Sequence, residues 1–169
     1  MPLAGAPRAR TSVEEAVAKP AYDEVAALAP SPLAAARLIL RDDADARDVV
    51  QTTSEIALRR LSSLRQPERL LSWLLTIQTR EAFRMRRRMK RFVTTSHLPD
   101  IPSPSGVDDS VIALRQAVGD LPLRMRTAVV IHHMVGLSVA ETASAMGISE
   151  NSVKSELKVG LERLREVMR

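Results

Sequence analysis

The stretch from Arg91 to Ser110, RFVTTSHLPDIPSPSGVDDS, carries prolines at 99, 102 and 104 and few periodic apolar residues. Proline fixes φ and has no N–H, so neither a helix nor a central strand can run through this stretch. It reads as a semi-extended linker of about twenty residues and divides the chain into two modules. On either side, apolar residues recur at helical spacing. Helices are expected near 21–29, 32–41, 44–64 and 68–91 before the linker, and near 109–119, 122–135, 138–146 and 150–168 after it. Pro30 and Pro32 separate the first two, and Pro67 sits where the fourth begins. The aromatic content of 2% agrees with this pattern, because the apolar stock is Ala, Leu, Val, Ile and Met, which favours helices over sheets. The expected fold class is all-α: a disordered N-terminal arm over 1–20, one small helical domain over 21–92, a flexible linker over 93–108 and a second helical domain over 109–169.

Charge narrows the partners. Residues 1–92 hold 17 Lys and Arg against 11 Asp and Glu, whereas residues 93–169 hold 8 against 9. A basic excess in the front half suits a polyanion. Nucleic acid is preferred over membrane, because no helix there pairs its basic face with a broad apolar one. The chain has no cysteine, which excludes disulfides, thiolate metal sites and cysteine nucleophiles and is compatible with the cytoplasm. No apolar run reaches the ~18 residues needed to cross a bilayer, and the polar start has no signal core. Membrane insertion is therefore not expected. Enzyme chemistry finds no footing either. His132 and His133 point about 100° apart on a helix and cannot share one ion, and RDDADARD lacks a paired-carboxylate setting. No cofactor or metal is expected.

The helix PERLLSWLLTIQTREAFRMRRRMKR has two faces. At 100° per residue Arg80, Arg84, Arg87, Arg88 and Arg91 fall within about 100° of arc, with Leu71, Leu75, Ala82, Met85 and Met89 opposite. Arginines at i,i+4 repel one another, so an anionic partner explains the row better than stability does. Trp73 and Ile77 lie on the basic side, two turns earlier. Trp73 reads either as core filler or as a stacking surface for an unpaired base.

The segment SVAETASAMGISENSVKSELK has the spacing of a helix-turn-helix. Ala143 permits a close helix crossing, Gly147 can take the positive φ of a sharp turn, and Val153 anchors the second helix on the first. Ser149 is a good N-cap. Val153, Leu157, Leu161, Leu164 and Met168 define the buried stripe, so Asn151, Lys154, Ser155 and Lys158 face outward. Asn suits adenine, Lys reaches guanine or phosphate, and Ser suits either. Glu156 stands out: a carboxylate near phosphate weakens binding unless it meets cytosine N4 or a protein partner, and on this reading Glu156→Arg strengthens DNA binding at low salt.

A helical module ending in a basic helix, then a linker, then a C-terminal helix-turn-helix resembles an extracytoplasmic-function (group IV) sigma factor of the sigma-70 family. The likeness covers about residues 21 to 169. DADARDVVQTT is similar to the D-A-E-D-L-V-Q-E-T segment of region 2.2. The basic helix is similar to regions 2.3 and 2.4, with their W-L-x-x-I-A-x-N pattern. LPLRMRTAVVIHHMVGLSVAETASAMGISENSVKSELKVGLERLR is similar to region 4. The resemblance implies a non-enzymatic subunit that binds core RNA polymerase through the β′ clamp helices, with Asp45, Asp48 and Gln51 in contact. It also implies promoter DNA as a partner: Trp73, Arg80, Arg84, Arg87, Arg88 and Arg91 at the -10 element, and Asn151, Lys154, Ser155 and Lys158 at the -35 element. An anti-sigma factor is a common further partner in the family. Thr52, Ser54, Arg80 and Glu156 depart from the family pattern; Arg80, with the missing aromatics of its segment, bears on strand opening at the -10 element. Two other readings stay open: a degenerate sigma-like regulator that binds DNA without initiating transcription, and a helical interaction module that titrates an anti-sigma factor.

Overall fold

The computed structural model describes residues 30–92 and 109–167, and every regular element among them is helical. The first module contains α1 (Pro30–Leu40), α2 (Asp43–Arg60) and α3 (Leu70–Phe92), with 3-10 turns at Leu61–Ser63 and Pro67–Arg69 between the last two. The second contains α4 (Asp109–Asp120), α5 (Leu123–Val129), α6 (Val139–Met146) and α7 (Glu150–Val167). The expected arm, the helix at 21–29 and the linker over 93–108 lie outside the described residues.

Local chemistry sets the helix ends. Asp42 caps α2, its carboxylate accepting from the Asp45 N–H at 2.8 Å. Asp43 and Asp45 lie in the first turn and Arg59 and Arg60 in the last, as the helix dipole favours. Pro67 opens the turn that leads into α3. The helix expected over 122–135 is really two pieces. After Val129 the backbone widens into a π segment, Val130–Met134, where the Val135 N–H reaches back to Val130 O at 3.0 Å. A widened turn leaves no mark on a 3.6-residue periodicity.

Helix α1 is the hub. Its Ala35, Ala36, Ile39 and Leu40 are almost completely enclosed. It packs on α2 and α3 within its own module, and on α4, α5 and the π segment of the other. One apolar core consequently runs through both modules, joining Val49, Leu75 and Ala82 of the first to Val118, Val130, Ile131 and Val153 of the second. The linker reading places two separate bodies; the structure closes them on each other. Besides this core, the most extensive packing across the seam is between α3 and α6.

Helix α6 is fixed at its start by a capping box. Ser138 Oγ accepts from the Glu141 N–H at 3.1 Å, and Glu141 Oε2 accepts from the Ser138 N–H at 2.9 Å. The Ser138 backbone and hydroxyl bonds hold the Glu141 carboxyl below its usual range, against the opposing effect of burial, and Ser72 and Arg69 of the other module pull the same way as Ser138. A depressed carboxyl stabilises the fold above its unfolded pKa, and that contribution disappears as pH falls through the folded value. Glu141→Ala is therefore expected to cost about 1 kcal/mol at neutral pH. The gap between wild-type and variant melting temperatures should close as pH drops below the ordinary value of 4.5. Thermal melts across that range test this, and a gap that persists in acid would assign the cost to something other than the carboxylate.

Candidate nucleic-acid interface

The helix-turn-helix forms as its spacing requires. Gly147 sits at φ 66°, ψ 37°, its N–H bonded to Ala143 O and Ser144 O, and the Ile148 N–H also reaches Ala143 O at 3.1 Å. This left-handed stop satisfies the last carbonyls of α6 and turns the chain sharply into α7. Ser149 caps α7, accepting from the Ser152 N–H at 3.1 Å. Val153, Leu157, Gly160 and Leu164 are buried. Leu161 is half-buried, and Met168 lies outside the described residues. Asn151, Lys154, Ser155 and Lys158 are all exposed and form one outward face.

Glu156 does not belong to that face. It lies about 200° around the helix from both Lys154 and Lys158. Its half-buried side chain points to α5, where Arg124 Nε stands 3.7 Å from Glu156 Oε1. The structure adds an option that the sequence did not offer for Glu156: a contact within the protein.

On α3, Arg80, Arg84, Arg87 and Arg88 are exposed, and Arg84 is tethered to Glu81 at 3.0 Å. The side chain of Arg91 lies outside the described residues. Opposite them, Leu75 and Ala82 are buried and Leu71 and Met85 half-buried. Met89, expected in the packed stripe, is instead exposed. Helix α1 ends below it, at Leu40, whose carbonyl accepts from Arg86 Nη2 at 2.9 Å, so α3 runs past the helix it packs on.

Trp73 combines its two readings. Its ring packs against a small cluster of Ala57, Leu70 and Leu74, yet it also lines a groove of about 740 Å³ between the modules. Arg69 lines the same groove from the turn before α3, Ser72 and Thr76 from α3 itself, and Ser138 and Glu141 from the start of α6. The basic side of α3 is thus in two states: its front half faces α6, and its arginine half is open to solvent.

Asp45, Asp48 and Gln51 follow one another along α2 at helical i, i+3 spacing. Asp48 and Gln51 are exposed and Asp45 is half-buried. Burial, reinforced by Asp42 and Asp48, pushes the Asp45 carboxyl above its ordinary range, with Arg86 opposing. His132 and His133 meet edge to face at 4.7 Å, and His132 Nδ1 is 2.6 Å from Leu137 O. This ties the π segment to the following turn.

Sequence reasoning missed several groups that periodicity does not flag. Arg126 is buried in the seam, donating from Nη1 to Gly119 O at 2.6 Å. Burial, then Arg86 and Arg41, push its pKa down to about 10. Gln78 is fully enclosed, its amide donating to Pro32 O at 3.0 Å. Arg86 belongs to the arginine run by sequence but to the protein's interior bonding by position.

Two family models match in the order the modules stand: "Sigma-70 region 2" over residues 25–92 and "Sigma-70, region 4" over residues 112–164. The ECF RNA polymerase sigma factor SigM of Mycobacterium tuberculosis is 32% identical over 136 residues, covering 79% of this chain and 69% of that protein. The chain is an ECF sigma factor of the sigma-70 family. The RNA polymerase sigma-E factor of Streptomyces coelicolor is 30% identical over 138 residues, covering 79% of this chain and 77% of the relative. The fold of this sigma factor is also that of Bartonella quintana RpoE, solved in complex with the anti-sigma factor NepR. There the TM-score is 0.78 and identity 24%, over 89% of this chain and 97% of that one. CnrH, solved with the cytosolic domain of CnrY, gives a TM-score of 0.63 at 24% identity, over 89% and 88% of the two chains.

Because Glu156 pairs with Arg124 across α5 and α7, Glu156→Arg sets two guanidiniums against each other. The variant of this sigma factor is expected to lose up to about 1 kcal/mol of stability, the scale of an exposed pair, and to gain no DNA affinity. Melting and fluorescence-anisotropy titration with duplex DNA measure both; tighter binding at unchanged stability would return Glu156 to the DNA face.

Proposed function

We propose that this sigma factor binds core RNA polymerase and directs it to specific promoters. The single observation that carries the reading is the pair of outward polar surfaces on a chain of this family. One is the Asn151, Lys154, Ser155 and Lys158 face of α7, and the other the Arg80, Arg84, Arg87 and Arg88 row of α3. The first is assigned to the -35 element, where Asn and Lys read base edges in the major groove. The second, with Trp73 and Arg91, is assigned to the -10 element. Asp45, Asp48 and Gln51 are assigned to the β′ clamp helices of the polymerase. Catalysis belongs to the polymerase; this chain selects the start.

Two modest surfaces on one DNA reinforce each other by effective concentration, so the near-neutral second module needs no basic excess of its own. The solved relatives with anti-sigma partners support the same kind of partner here, and a cytoplasmic location follows from work on the polymerase. No described helix is long and apolar enough to cross a membrane. Arg80, where the family pattern has asparagine, favours a second reading in which DNA is bound but not opened.

Run-off transcription with sigma-free bacterial core polymerase and genomic fragments decides between them. Specific initiation is expected. Stable core binding with no initiation on any fragment would favour the non-initiating regulator. Replacing Arg87 and Arg88 with Ala is expected to reduce the slope of log affinity against log salt by about 2, one for each phosphate that is no longer neutralised. A slope that does not change removes α3 from the DNA interface.

A further inference from the structure

Three guanidiniums meet where α1 ends. Arg41, just past that helix, donates from Nη1 to Gly119 O and to Asp120 Oδ1, each at 3.0 Å. Arg126 Nη1 donates to the same Gly119 O at 2.6 Å, and Arg86 Nη2 reaches the carbonyl of Leu40, the residue before Arg41, at 2.9 Å. Gly119 leaves room for the group, since a Cβ there would fall 2.9 Å from Arg41 Nε.

Part of this arrangement is ordinary helix chemistry. Leu40 and Gly119 lie in the last turns of α1 and α4, where carbonyls lack partners within the helix and favour cations. One donor to each carbonyl would serve that need. Two features exceed it. Arg126 is 4% exposed, and its enclosed Nε–H has no hydrogen-bond partner among the described residues; an unspent donor on a buried charged group is costly. Charge is also out of balance. Burial, then Arg86 and Arg41, lower the Arg126 pKa, with Asp120 opposing. Asp120 is largely exposed, and Asp45, which faces Arg86, is pushed towards its neutral form by burial.

A phosphoryl group answers both features. It carries close to two negative charges at neutral pH and three terminal acceptor oxygens, and guanidiniums take phosphate oxygens in paired hydrogen bonds. A carboxylate offers only two oxygens and one charge, which Asp120 already supplies. Arg41 is mostly enclosed while Asp120 is largely exposed, so the cluster is reached from the Asp120 side. Little is lost when an exposed pair of that kind is exchanged.

We propose that Arg41, Arg86 and Arg126 form a binding site for a phosphoryl group, either inorganic phosphate or the phosphate of a small metabolite. Arg126 Nε–H gains an acceptor, and Arg41 exchanges the Asp120 carboxylate for a phosphoryl oxygen. A ligand held by the folded chain alone stabilises it in step with its concentration. The site stands apart from the outward faces of α7 and α3, and it does not rest on the promoter reading above.

Nitrogen-15 NMR of the full chain tests the site at its buried donor. The Arg126 Nε–H peak is identified as the one lost in Arg126→Lys, and sodium phosphate replaces sodium chloride at constant ionic strength. A saturable downfield shift of that peak is expected, with a midpoint roughly tenfold higher in Arg41→Gln and in Arg86→Gln, the scale of one charge-assisted hydrogen bond. Backbone spectra show whether each variant keeps its fold, and the double variant Arg87→Ala, Arg88→Ala should leave the midpoint unchanged. Glycerol phosphate, titrated in parallel, separates the sources: a lower midpoint than inorganic phosphate points to a metabolite and a higher one to the free ion, and either supports the site. An Arg126 peak that stays in place, or moves with the same midpoint in both glutamine variants, overturns the proposal. A shift abolished by the Arg87 and Arg88 replacements also overturns it, because phosphate would then sit on the α3 row. Neither polymerase nor DNA is present, so failure of the promoter reading would appear separately, as absent run-off transcription.

Discussion

The fold rests on one short helix that has more apolar surface than a single module can cover. Helix α1 buries Ala35, Ala36, Ile39 and Leu40, and small residues on that face let neighbours approach from two directions. Apolar area of this kind is removed from water at about 25 cal/mol per Å², so leaving the second side bare is unfavourable. The second module supplies the missing cover through α4, α5 and the π segment. The rest of the seam follows from that demand: the buried Arg126 that satisfies Gly119 O, the Arg41 bridge, and α6 lying over α3.

The helix-turn-helix was the most legible part of the sequence because its physics is local. A glycine at a positive-φ stop, a small residue one turn before it, a cap two residues after it and an apolar anchor all declare themselves within eleven residues, from Ala143 to Val153. The four outward residues of α7 follow from the same periodicity. The seam was illegible for the opposite reason. Arg41 lies 78 residues from Gly119 and 79 from Asp120, and nothing in either neighbourhood announces the other. Arg86 shows the limit most clearly. A helical wheel places it in a run of arginines, but only the end of α1 beneath it makes it a carbonyl partner. The wheel likewise puts Met89 on the packed side without showing that the supporting helix has already ended.

Polar groups at the seam have a different status from those on the two outward faces. Arg126 at the seam and Gln78 inside the first module are enclosed, and each donates one hydrogen bond to a backbone carbonyl, which is costly to lose in a buried setting. Lys154, Lys158, Arg87 and Arg88 are exposed. Charge in this chain therefore separates into two uses, one joining elements within the fold and one offered to a polyanion. Glu156, which the sequence leaves as an exception beside the outward face of α7, belongs with the first through Arg124.

Residue 41 touches neither the outward face of α7 nor the arginine row of α3. Its bridge instead joins the end of α1 to Gly119 and Asp120, 78 and 79 positions further along the chain. A change there bears on how the two modules hold each other and leaves both outward faces as they are.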